Sequence, residues 1–227
     1  ITIIIMSITQ FLNNNGFFEF EGYCIADQIE DFKILTSKPN INVMEIGFNA
    51  GHSAEAFLEN NKELKLTSFD LGYHNYCLKA KEYIDNTYPN RHTLILGDSK
   101  ITVPKYINDN RNTKFDVIFI DGGHDYVTAR EDVLNCFNLA HKNTIVILDD
   151  VMFKKEWETF YTIDPTQVWT ENLLETKIFE LISDLNFDIL EQISYSSFSL
   201  NHSKQWSNAS IYSSLGRSYF NLYPLDK

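Results

Sequence analysis

The sequence predicts an α/β fold: a doubly wound, mostly parallel sheet of seven strands with a helical extension over residues 1–40 and one domain over 41–227. Three observations carry this. Apolar runs of strand length alternate with longer patterns of helical period, the signature of βαβ units. The run Phe115-Asp-Val-Ile-Phe-Ile-Asp121 is almost continuously apolar, as a strand covered on both faces must be. Acidic residues recur where one run after another stops.

Taken in order, residues 23–35 have a helical pattern, and 42–47 form an apolar run closing on Gly47. A helix is expected over roughly 53–61, then a strand at 64–70 that ends in Asp70. Residues 76–87 read as helix and 91–97 as a third strand, with Asp98 just past it. The fourth strand, 115–121, precedes a helix at 126–141, and 144–149 is the fifth strand. Beyond Asp150 the pattern weakens: 173–185 is amphipathic, and 187–195 with 209–215 could close the sheet as an antiparallel hairpin.

Composition narrows the function. The 227 residues include 19 Lys and Arg against 31 Asp and Glu, a formal charge of −12. A nucleic acid would meet a repulsive field, so no nucleic-acid partner is expected. No apolar run approaches bilayer length and no secretory leader pattern is visible, so neither a membrane partner nor export is expected. The three cysteines lack metal-finger or disulfide-framework spacing, which fits a reducing, cytoplasmic setting. The chain opens on Ile1, so its natural start could be Met6 or lie upstream.

In an open parallel sheet, ligands bind beyond the carboxyl ends of the strands. Here that edge would gather Gly47, Asp70, Asp98, Asp121 and the pair Asp149-Asp150. Any single aspartate after a strand is ordinarily a turn former or helix cap; four strand ends in succession are harder to explain that way. The first loop reads Glu45-Ile-Gly-Phe-Asn-Ala-Gly51-His-Ser53. Its glycines permit a tight turn with backbone N–H groups facing a ligand at a helix start. Asn49 stands where a dinucleotide loop needs its second glycine, which argues against a nicotinamide cofactor.

This loop, joined to Asp70, resembles motif I of the class I S-adenosylmethionine (SAM)-dependent methyltransferases, an acid followed by GxxxG. The resemblance implies a Rossmann-like methyltransferase sheet and a donor site made by Glu45, Gly47, Asn49, Gly51, Ser53, Asp70, Asp98, Ser99 and Asp121. Asp70 would accept hydrogen bonds from the ribose hydroxyls, and Asp98 would lie near the adenine amino group.

Phe119-Ile-Asp-Gly-Gly-His-Asp-Tyr126 with Val146-Ile-Leu-Asp-Asp150 resembles a subgroup of that fold, the metal-dependent sugar O-methyltransferases of the macrocin and mycinamicin type. Cephalosporin-hydroxylase-like and catechol-methyltransferase-like proteins are its relatives. The resemblance spans about half the chain, residues 41–151, and implies that Asp121, Asp149 and Asp150 hold Mg²⁺ or another hard divalent cation. Oxygen ligands suit such ions better than zinc. It also implies that His124, or failing it Asp121, removes a proton from the acceptor. The expected function is therefore metal-assisted methyl transfer from SAM to a hydroxyl of a small molecule, a sugar being the case that the relatives suggest. A hydroxylase-like protein and a silent SAM-fold interaction subunit are the alternatives. Homo-oligomerisation is possible. His52 is expected at the surface, and aromatic residues in 17–23 or 157–169 could line an acceptor pocket.

Overall fold

A computed structural model describes residues 6–151, 159–169, 187–189 and 218–224. It divides into two compact units, Ile1–Asp98 and Ser99–Lys227.

The first unit begins with α1 (Ile8–Asn14), which the sequence pattern does not announce. Its start is nonetheless written locally. Ser7 accepts the Gln10 N–H while the Gln10 side chain accepts the Ser7 N–H, a reciprocal capping box. Ile8 and Leu12, one turn apart, are fully buried. Next come α2 (Ala26–Leu35), β1 (Asn42–Ile46), α3 (His52–Asn60), β2 (Lys65–Asp70), α4 (Cys77–Thr87) and β3 (His92–Leu96). The strands run parallel in the order β3-β2-β1, with Val43 beside Leu66 and Leu66 beside His92. Phe32 of α2 stacks on Phe57 of α3 at 4.1 Å between ring centroids, and both rings are fully buried. The parallel register brings the ends of β1, β2 and β3, and so Gly47, Asp70 and Asp98, to one edge of this sheet.

The second unit opens with α5 (Ser99–Asp109), followed by β4 (Phe115–Ile120), α6 (Tyr126–Phe137), β5 (Ala140–Leu148), α7 (Ile163–Gln167), β6 (Phe187–Ile189) and β7 (Ser218–Pro224). Its strand order is β4-β5-β7-β6. The β4–β5 pair is parallel, with Ile120 beside Leu148; the β5–β7 and β6–β7 pairs are antiparallel. Several of these elements differ from the expectation, among them α7, which the pattern does not announce. The pattern gives no helix at 99–109, where Pro104 sits inside α5, because an interior proline ordinarily argues against a helix. The helix expected to run to 141 stops at Phe137 with Asn138 as its cap. Accordingly β5 begins at Ala140 rather than 144, and bulges: Phe115 pairs with Ala140 but Val117 with Ile145. Thr144 stabilises the bulge, its hydroxyl donating to the Phe115 carbonyl at 2.6 Å and accepting the His141 N–H at 2.7 Å. The last strand lies at 218–224, not 209–215; it carries Tyr219, Phe220 and Tyr223, types that favour strands. The expected helix at 173–185, with 190–195 and 209–215, lies outside the described residues. No helix among the described residues is long and apolar enough to cross a membrane.

Candidate active site

In the first unit, the loop after β1 turns on three left-handed residues, Gly47 (φ 101°), Asn49 (φ 48°) and Gly51 (φ 76°). Position 51 has no room for a side chain, since a Cβ there would lie 2.8 Å from Ile8 Cδ1 and 3.0 Å from Phe48 Cζ. Asp70 ties the loop down: its Oδ2 accepts the Asn49 N–H at 2.7 Å and its Oδ1 accepts the Gly72 N–H at 2.6 Å. A carboxylate offers about four acceptor directions, so Asp70 retains capacity for a ligand's hydroxyls. Leu71 beside it is exposed. Asn49 also donates from Nδ2 to the Glu21 carbonyl at 2.7 Å, which fastens the segment before α2 to the loop.

Glu45 and Ser53 occupy a different position. Glu45 is 0% exposed. It accepts the Ser53 hydroxyl at 2.7 Å and the Ser68 hydroxyl at 2.6 Å. Burial pushes its carboxyl up to about 7, against the opposing effect of those two hydrogen bonds. Any contribution of this pair to donor binding therefore passes through the loop they brace. Sequence reasoning does not find Ser68, because its partnership is a fact of register: Ser68 on β2 stands beside Glu45 on β1. His92 extends the chain of contacts, with Nε2 2.8 Å from Ser68 Oγ. Burial holds this imidazole down at about 3. His52, expected at the surface, instead meets Thr9 Oγ1 at 3.0 Å and the Tyr23 ring at 4.8 Å. Burial lowers its imidazole to about 4. Asp98 lies half-buried two residues past β3, the last residue of this unit.

In the second unit, Ser99 is the first residue of α5. Asp121 follows β4 directly, and the loop Gly122-Gly-His-Asp125 leads into α6, where Asp125 caps the helix by accepting the Thr128 N–H at 3.0 Å. Hydrogen bonds from Thr128, its side chain first and its backbone N–H second, hold the Asp125 carboxyl below its usual range. After β5, Asp150 adopts a left-handed backbone (φ 58°), and its Oδ2 comes within 2.8 Å of His124 Nε2. Asp121, His124 and Asp150 each offer one ligand atom, all within 4.8 Å of one another. That trio does not include Asp149, whose Oδ1 accepts the N–H of Asp150 at 3.0 Å and so shapes the turn. Two carboxylates and an imidazole so close suit a divalent cation that takes oxygen and nitrogen ligands. Tyr161, from the turn before α7, places its ring 5.8 Å from His124. Sequence reasoning marks that aromatic segment only in general terms.

Residues 44–151 match a sequence family described as a methyltransferase domain. No curated protein matches the chain by sequence. Among solved structures, an O-methyltransferase from Bacillus cereus in complex with SAH (S-adenosylhomocysteine) aligns over 98% of this chain and 93% of its own, with a TM-score of 0.63 and 13% identity. CalS11, a TDP-rhamnose 3'-O-methyltransferase of calicheamicin biosynthesis, aligns over 87% and 80% (TM-score 0.54, 16% identity). MycE, the mycinamycin-pathway methyltransferase in complex with Mg and SAH, aligns over 87% of this chain (TM-score 0.55, 13% identity), which spans about half of MycE's length. Over residues 44–151, just under half of the chain, the sequence thus matches the methyltransferase-domain family, and the chain carries the Rossmann-like fold of the solved methyltransferases.

Proposed function

We propose that this protein transfers a methyl group from SAM to a hydroxyl of a small molecule, a sugar or a similar polyol ring, with help from Mg²⁺ or another hard divalent cation. The observation that carries the reading is the meeting of Asp121, His124 and Asp150 within 4.8 Å, in a stretch that matches a methyltransferase domain. In support, CalS11 is named as a sugar O-methyltransferase and MycE is described with Mg and SAH.

When bound, SAM supplies an electrophilic methyl on a sulfonium, and a divalent cation supplies positive charge that acidifies a nearby hydroxyl. The chain's own residues do the rest. The loop Gly47–Gly51 presents backbone N–H groups at the start of α3, and Asp70 offers its remaining lone pairs to ribose hydroxyls. Asp98 and Ser99 would complete the donor side. Asp121 and Asp150 supply carboxylate ligands, with Asp149 holding the turn or adding a third. His124, its Nε2–H directed at Asp150, keeps the Nδ1 lone pair and can take the acceptor's proton there, an orientation by carboxylate familiar from other catalytic histidines.

Thermal melting of wild type and Asp150→Asn, in EDTA and in millimolar Mg²⁺ with SAH, tests the metal. Asparagine suits the left-handed backbone at 150 and keeps an acceptor for His124 while relieving repulsion with Asp121. The variant without metal should be at least as stable as wild type. Mg²⁺ should raise the wild-type midpoint by mass action, and the rise should shrink in the variant. A wild type indifferent to Mg²⁺, Mn²⁺ and Ca²⁺ contradicts the metal site.

A further inference from the structure

The described residues of the second unit leave one large aromatic side chain almost entirely in solvent: Phe160 is 90% exposed. Tyr161 and Ile163 beside it are also exposed. Isolated exposed apolar residues need no explanation, but these sit on a turn that is built and anchored. Thr162 is fully buried, accepts the Thr159 N–H on its hydroxyl at 2.8 Å, and donates its own N–H to the Thr159 carbonyl at 3.0 Å. It then starts α7 by accepting the Thr166 N–H at 3.1 Å, and Val168 and Trp169 after that helix are buried. Asp164 of α7 accepts the Tyr126 N–H at 2.9 Å, which ties the turn to the residue two places after His124. Phe160 and Tyr161 meet edge to face, 5.4 Å apart at 89°, and the Tyr161 ring lies 5.8 Å from His124.

We infer that Phe160 and Tyr161 form the acceptor platform: a corner of two aromatic rings against which an uncharged ring stacks, with adjacent hydroxyls directed to the Asp121–His124–Asp150 cluster. The inference rests on the methyltransferase reading and names the substrate class for it. Two rings at right angles give one face for stacking and one edge for lateral contact, the geometry that aromatic rings and the apolar faces of sugars both accept. Charge selects further. Asp121, Asp149 and Asp150 follow β4 and β5, and Asp164 lies in the first turn of α7, so even a bound divalent cation leaves the surroundings acidic. An anionic acceptor is disfavoured against a neutral one of the same shape.

The test uses the full chain with SAH and Mg²⁺ and three probes followed by saturation-transfer NMR: catechol, methyl rhamnopyranoside, and protocatechuate as the anionic counterpart of catechol. At least one neutral ring should bind, and which one does identifies the acceptor as aromatic or sugar. Protocatechuate should bind more weakly than catechol. Phe160→Ala and Tyr161→Ala should each weaken the neutral ring about threefold to tenfold, and Tyr161→Phe should restore wild-type affinity. Because Phe160 is so exposed, its alanine variant should melt like wild type. Failure of both neutral rings to bind, alanine variants that bind as wild type, or a preference for protocatechuate overturns the platform. SAH affinity, measured on the same samples, separates the two claims: ring binding as expected without SAH binding supports the platform and removes the methyltransferase reading, whereas SAH binding without ring binding removes the platform alone.

Discussion

Glu45→Gln probes the brace beneath the loop without changing its shape. The carboxyl is fully enclosed and titrates near 7 in the folded chain, against an ordinary value of 4.5 when unfolded. The folded state thus holds this proton more tightly than the unfolded one. The resulting stabilisation is complete below about 4.5 and is lost as pH rises through about 7. A difference of roughly 2.5 in pKa, at about 1.4 kcal/mol each, amounts to ~3 kcal/mol as an order of magnitude. Glutamine cannot ionise and keeps an oxygen for one of the serine hydroxyls. Wild type should therefore lose about 3 kcal/mol relative to the variant between about pH 4.5 and pH 7.5. His52 and His92, lowered to about 4 and about 3, titrate in both chains. Their stabilisation is present above the ordinary histidine value and is lost as pH falls through those values, so it cancels in the difference. Urea unfolding of both proteins at half-unit pH steps measures it. A difference that stays flat across the range refutes the enclosed, neutral Glu45.

Two further outcomes follow from the geometry. His124→Ala should lower kcat by about 10²–10⁴-fold if the imidazole is a base, while the Mg²⁺-induced rise in melting midpoint is kept; loss of that rise makes His124 a metal ligand instead. Gly51→Ala should destabilise the chain by about 1–3 kcal/mol, read from urea unfolding, since the position combines φ 76° with a Cβ only 2.8 Å from Ile8 Cδ1; unchanged stability would mean that the loop relaxes freely.

The strand ends were legible in the sequence because period and punctuation are local: apolar runs stop at Gly47, Asp70 and Asp121, and the structure ends β1, β2 and β4 within a residue of each. Glu45 shows where such reading stops. In a strand covered on both faces the pattern does not distinguish an acid facing ligand from one buried among serines, and the deciding partner, Ser68, arrives from another strand through the register. The same holds at the second acidic cluster. Asp149 and Asp150 are equivalent letters, yet the left-handed backbone at 150 places its carboxylate against His124 while that of Asp149 bonds the adjoining N–H. Helix α5 was hidden by Pro104, and α1 by its brevity, although its capping box was written in Ser7 and Gln10.

Binding of SAM by the loop Gly47–Gly51 and Asp70 is tested most directly by calorimetric titration with SAH. Wild type should bind SAH with one-to-one stoichiometry, and Asp70→Ala should bind it more weakly by about 1.5–3 kcal/mol, the scale of hydrogen bonds to a charged acceptor. Equal affinity in the two proteins would take Asp70 out of the site, and a wild type that binds no SAH would contradict the account as a whole.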